Sequence, residues 1–141
     1  MQSNKMPIGY WIKQADELLT RGIDDIHSSF GITRTGWQIL NSINEKEFIL
    51  KVDLTNVIKP FADANNVKGI LTKFKAEHLV NEDEEKLTLT DKGIELHKTC
   101  FEQQKIFRQK VMSGISEQDY QVAILTLQKI VANLTNKTRF I

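Results

Sequence analysis

The chain has 141 residues, with 40% apolar and 26% charged residues and a formal net charge of +1. That length suits one domain or a compact two-part subunit, and the composition excludes disordered and fibrous classes. A single cysteine, Cys100, excludes an intramolecular disulfide.

The N-terminal MQSNKMPIGYW lacks the apolar core of a signal peptide, which predicts a cytoplasmic protein. The longest uncharged runs, Thr35 to Asn44 and Tyr120 to Gln128, reach about half of the roughly 18 residues needed to span a bilayer, so no membrane association is expected. Charge is uneven. Residues 33–93 carry nine Lys/Arg against ten Asp/Glu, whereas residues 94–141 carry seven against four.

In chain order, Ile8, Trp11, Ile12, Ala15, Leu18, Leu19, Ile23 and Ile26 follow a helical period and predict a first helix. Phe30-Gly31-Ile32 ends it, and Thr33 is placed to cap a second helix carrying Trp37, Ile39, Leu40 and Ile43. A short strand is predicted within Phe48 to Val52. Asp53 then reads as the N-cap of a third helix with Leu54, Val57, Ile58, Phe61 and Ala62, which Pro60 either kinks or stops near Lys59.

Asp63 to Asn66 supplies a turn and a cap for the stretch ANNVKGILTKFKAEHLV. Its apolar Val67, Ile70, Leu71 and Phe74 share one helix face, leaving Lys68, Thr72 and Lys75 on the other with Gly69. Two short helices joined by a tight turn form a helix-turn-helix candidate. Leu79-Val80-Asn81 and Lys86 to Leu89 read as a short hairpin with an acidic tip. Thr90 caps a long helix to about Met112, and Ser116-Glu117-Gln118-Asp119 opens a final amphipathic helix.

This order resembles the MarR family of winged-helix transcriptional regulators over nearly the whole chain. Leu87-Thr88-Leu89-Thr90-Asp91-Lys92-Gly93 is similar to the family's last wing strand and its LT-x-x-G turn into the next helix. Val67 to Val80 matches a recognition helix opened by valine and closed by Leu-Val, and Phe30-Gly31-Ile32-Thr33 with Trp37 and Leu40 matches the start of the second helix. The resemblance implies a mainly α fold with a small β-hairpin wing, in which a winged helix-turn-helix at 33–93 is flanked by dimerisation helices at 1–32 and 94–141.

The implied function is a homodimeric regulator that binds a pseudo-palindromic operator in double-stranded DNA. Candidate DNA-contacting residues are Arg34, Asn65, Asn66, Lys68, Thr72, Lys73 and Lys75. Members of the family often bind small aromatic ligands between the dimer helices and the winged helix, and Trp11, His27, Trp37 and Phe101 are the candidate pocket residues.

The sequence departs from the family where DNA is touched. Gly69 stands where an arginine is usual, and the wing, Asn81 to Lys86, is short and acidic where an Asp-x-Arg element is usual. The competing reading is a dimeric winged-helix interaction or ligand-binding protein with weakened or lost DNA binding. His97 and Cys100, three residues apart, are too few for a structural zinc site, so no metal or other cofactor is expected. Cys100 lies mid-helix with only Lys98 as a near cation and reads as structural. No phosphate loop or hydrolase motif occurs, and an enzyme is not expected.

Overall fold

A computed structural model describes residues 5–135. Among them the order is α1 (Ile8–Ser29), α2 (Arg34–Asn44), β1 (Ile49–Leu50), α3 (Lys51–Ile58), α4 (Ala64–Ala76), β2 (Val80–Asp83), β3 (Lys86–Leu89), α5 (Asp91–Val111) and α6 (Glu117–Thr135). The chain divides into two compact units, Met1–Phe107 and Arg108–Ile141.

The core of the first unit is where the helical periods point. Ile39, Leu40 and Ile43 of α2, Leu54 and Ile58 of α3, and Val67, Leu71 and Phe74 of α4 are buried with Leu79, Val80, Leu87 and Cys100. Completely burying side chains of this size stabilises by about 1.5–3 kcal/mol each, which makes this cluster the main support of the unit.

Thr33 caps α2, its Oγ1 accepting the Gly36 N–H at 3.1 Å. The sheet has order β1-β3-β2, all antiparallel, with Ile49 opposite Leu87 and Val80 opposite Leu89. The strand expected within Phe48 to Val52 is therefore real but only Ile49–Leu50 long.

One cap expected from sequence is misplaced. The extended backbone of Leu50 occupies the N-cap position of α3, and Asp53 lies in its first turn. The register is set by the sheet, because the Lys51 N–H donates to the Glu85 carbonyl at 2.9 Å and carries β1 directly into the helix. Asp53 still favours the positive end of the helix dipole. At its other end α3 stops at Ile58, just before Pro60 as expected.

The LT-x-x-G motif has a clear physical basis. The Thr90 N–H donates to the Leu79 carbonyl at 3.0 Å, and Thr90 Oγ1 accepts the Gly93 N–H at 3.0 Å. The same hydroxyl donates to the His78 carbonyl at 2.6 Å. A Cβ on Gly93 would collide with the Leu79 carbonyl oxygen, so only glycine lets α5 start against the end of α4. Leu87, fully buried, anchors the strand that leads there.

In the second unit, α6 is capped by Ser116, whose Oγ accepts the Asp119 N–H at 3.0 Å. Val122, Leu125, Leu127, Val131 and Leu134 are exposed along it.

Candidate nucleic-acid interface

α4 is the best-defined element of the candidate interface. Asp63 caps it by accepting the Asn66 N–H at 2.8 Å, and a left-handed His78 (φ 62°) turns the chain away after it, with the Leu79 N–H on the Phe74 carbonyl. Its inward face is locked in the core by Val67, Leu71 and Phe74. The opposite face presents Asn65, Lys68, Gly69, Thr72 and Ala76, all exposed. A Cβ at Gly69 would meet nothing within 4 Å, and its φ is not in the left-handed region. Nothing in the described chain therefore requires glycine there, although mid-helix glycine costs about 1 kcal/mol relative to alanine.

The three lysines of α4 have different fates. Lys75 Nζ lies 2.7 Å from Glu82 Oε1 on the wing, and Lys51 Nζ lies 3.7 Å from the same oxygen. The hydrogen bond from Lys75 holds the Glu82 carboxyl below its ordinary range. Lys73 Nζ donates to the Gly31 carbonyl at 3.0 Å and pairs with Glu77 at 3.4 Å. Lys68 is the α4 lysine with no hydrogen bond or ion pair among the described residues, and it borders a groove of about 340 Å³ with Lys51, Val52, Thr55, Asn56 and Glu85. Thr72 Oγ1 donates back to the Lys68 carbonyl at 2.9 Å.

Arg34 opens α2 and meets Asp24 at 3.3 Å, both side chains being about half exposed (53% and 52%). An exposed pair of this kind contributes little stability and can be exchanged for another anion. Asn65 and Asn66 sit in the first turn of α4 with both side chains in solvent.

The wing closes through Glu84 (φ 50°) and Glu85 (φ 67°), a tight two-residue turn in the left-handed region. Such turns favour Asn-Gly, and a non-glycine residue there costs on the order of 1 kcal/mol or more. Lys86, the wing's lysine, has its ammonium 4.8 Å from the centre of the Phe48 ring. The wing thus offers solvent the carboxylates of Asp83, Glu84 and Glu85 while its neighbouring cations are engaged at home.

Three of the four candidate pocket aromatics come together, with a histidine that sequence reasoning did not assign to them. Trp37 stacks on His97 with ring centres 4.6 Å apart and on His27 at 6.0 Å, and His97 stacks on Phe101 at 6.2 Å. Their spacing along α5, His97 and Phe101 at i and i+4, was the available signal. Trp11 lies outside this stack, edge-on to Tyr10 at 4.8 Å.

His97 Nε2 is 2.9 Å from Asn41 Oδ1, and His27 Nε2 is 3.1 Å from the Gln104 amide, while His27 Nδ1 is buried without a partner. Burial pushes both imidazoles below their ordinary pKa; at His27 the Asp24 carboxylate opposes that shift and Arg34 adds to it. His27 also lines a cavity of about 490 Å³ with Thr20, Asp24, Ser28, Thr33 and Arg34. Cys100 is fully buried, and burial pushes its thiol pKa up, the opposite of what a reactive thiolate needs.

The backbone that carries α4, the wing and the long flanking helices is similar to that of solved structures. The chain is similar to the reduced form of Escherichia coli MarR, at 18% identity and a TM-score of 0.67, over 89% of this chain and 93% of that one. The fold is that of MarR. It is also similar to the Mycobacterium tuberculosis MarR family protein Rv2887 in complex with DNA, at 17% identity and a TM-score of 0.69 over 89% and 98%. MepR, a transcription regulator of the Staphylococcus aureus multidrug efflux pump MepA, matches at 17% identity and a TM-score of 0.65 over 92% and 100%. No protein-family model and no curated protein matches the sequence. The MarR likeness is thus carried by the backbone, and among the described residues no helix is long and apolar enough to cross a membrane.

Proposed function

We propose that this protein is a MarR-type transcriptional regulator that binds double-stranded DNA in the cytoplasm, inserting α4 into the major groove. The observation that carries this reading is the outward face of α4, which is free of carboxylates from Asn65 to Ala76 and backed by a buried face that fixes its orientation. Rv2887, whose backbone this chain follows, is a DNA complex. Residues 33–93 would form the DNA-binding part. Lys68 and the exposed Asn65, Asn66 and Thr72 would face base edges, with Arg34, Lys73 and Lys75 near phosphates once DNA competes with their internal partners.

A homodimer is part of the proposal, built from helices in 1–32 and 94–141. Support comes from Ile8, Trp11, Ile12, Leu18 and Leu19 on α1 and from the apolar row on α6, all exposed in the single chain. Apolar surface of this extent ordinarily marks a protein interface. Two half-sites about one helical turn apart, roughly 34 Å, would then be bound together. Sedimentation of the full chain should give a dimer.

A small aromatic effector is a further part of the reading. Trp37 and Phe101 pack with the two histidines, so the space left for a ligand is the His27 cavity with its polar rim. Thermal protection by salicylate-like acids together with release of DNA would support it, and the absence of both effects would overturn it.

The test of DNA binding is selection of duplexes from a random library by the full chain, followed by titration at several salt concentrations. A selected site bound at least about a thousandfold more tightly than random duplex is expected. The acidic wing and the paired lysines favour a second reading, a dimeric interaction or ligand-binding protein with little DNA affinity. Binding confined to about 10⁻⁴ to 10⁻⁶ M without sequence preference would support that instead.

A further inference from the structure

Resting on the reading of α4 as a major-groove helix, the geometry points to Gly69 as its point of closest approach to the base edges, and to a half-site rich in A·T pairs with a single specified guanine. The outward face of α4 runs Asn65, Lys68, Gly69, Thr72, Ala76, opposite the buried Val67, Leu71 and Phe74. Gly69 is at the middle of that face. It weakens its own helix, it adopts no backbone conformation that needs glycine, and a Cβ there would touch nothing in the described chain. What the missing side chain provides is room outside the protein.

The neighbours of Gly69 determine what is read in that room. Thr72 donates its hydroxyl hydrogen to the Lys68 carbonyl, so outward it offers its methyl and an acceptor oxygen but no donor, and Ala76 adds another methyl. Methyls of this kind fit the C5-methyl of thymine, and asparagine pairs with the N6 and N7 edge of adenine. Lys73 and Lys75 are drawn to Gly31, Glu77 and Glu82, which leaves Lys68 as the cation free to take guanine O6 and N7.

The experiment compares the full-length wild type with Gly69→Ala and Lys68→Ala on the duplex that the wild type selects and on a random duplex. Gly69→Ala should raise the thermal midpoint by a few degrees while weakening the selected site tenfold or more and leaving random duplex unchanged. Lys68→Ala should lose discrimination at one guanine per half-site by about 10- to 100-fold. If the wild type binds a specific site and Gly69→Ala binds it as tightly, the close approach is overturned while the DNA-binding reading stands. A G·C-rich selected half-site overturns the base preference. A wild type that selects no sequence overturns the function itself.

Discussion

Where α4 ends against β3 and α5, each contact follows from a residue type that the MarR-like motif specifies: Leu87 in the core, Thr90 bonded on both sides, Gly93 against the Leu79 carbonyl. A few residues away the wing follows no such pattern, turning through two left-handed glutamates and holding Lys75 and Lys51 on Glu82. The contrast separates steric contacts that build the fold from charged contacts that lie at its surface. The fold itself is shared with solved structures at 17–19% identity.

The largest effect should come from the buried half of α4. Phe74→Ala removes a side chain that is 1% exposed and should cost about 3–5 kcal/mol in chemical denaturation. Gly93→Ala should cost about 3 kcal/mol, at the upper end for overpacking, since the obstruction is backbone. If Gly93→Ala unfolds at the wild-type midpoint, the steric basis of the motif is wrong. Neither change should be matched by alanine at Lys68 or Gly69, both exposed positions.

A milder effect is expected from acid. The unfolded imidazoles of His27 and His97 titrate near 6.5, and their folded values are lower. The unfolded chain therefore binds more protons in that interval. Stability should be fully present above about pH 6.5 and decline as pH falls below it. Replacing both histidines with glutamine should flatten this part of the stability profile, and an unchanged profile would place its origin elsewhere.

Thr90→Ala, which removes a cap and the bond to His78, should cost about 1 kcal/mol. The smallest effect is the most informative about the wing. Glu82→Gln should release Lys75 and Lys51, strengthen DNA binding a few-fold, and steepen its salt dependence by up to roughly two in the logarithmic slope. A slope equal to wild type would mean that Glu82 does not withhold these lysines from phosphate.

Much of the fold was legible because it rests on period and caps. Thr33, Asp63, Thr90 and Ser116 cap where their residue types suggest, and Pro60 follows the end of α3. Asp53 misled because a cap is local, while the start of α3 is set by β1 pairing with β3 across residues far apart in sequence. The candidate interface was legible only as a list of polar residues. Which lysines are free depends on Glu82, Glu77 and the Gly31 carbonyl, partners that chain folding brings near. The aromatic cluster was read by type, and the structure stacks His27 on Trp37 and links Trp37 to Phe101 through His97 but leaves Trp11 apart.

The most direct test of the central claim, that α4 reads the major groove and the wing reads nothing, is dimethyl sulfate footprinting on the selected duplex. This reagent marks guanine N7 in the major groove and adenine N3 in the minor groove. The account predicts protected guanines in two half-sites about one helical turn apart, with adenine N3 next to them fully reactive because the wing carries no arginine. Protection of adenine N3 with guanine N7 untouched would contradict it.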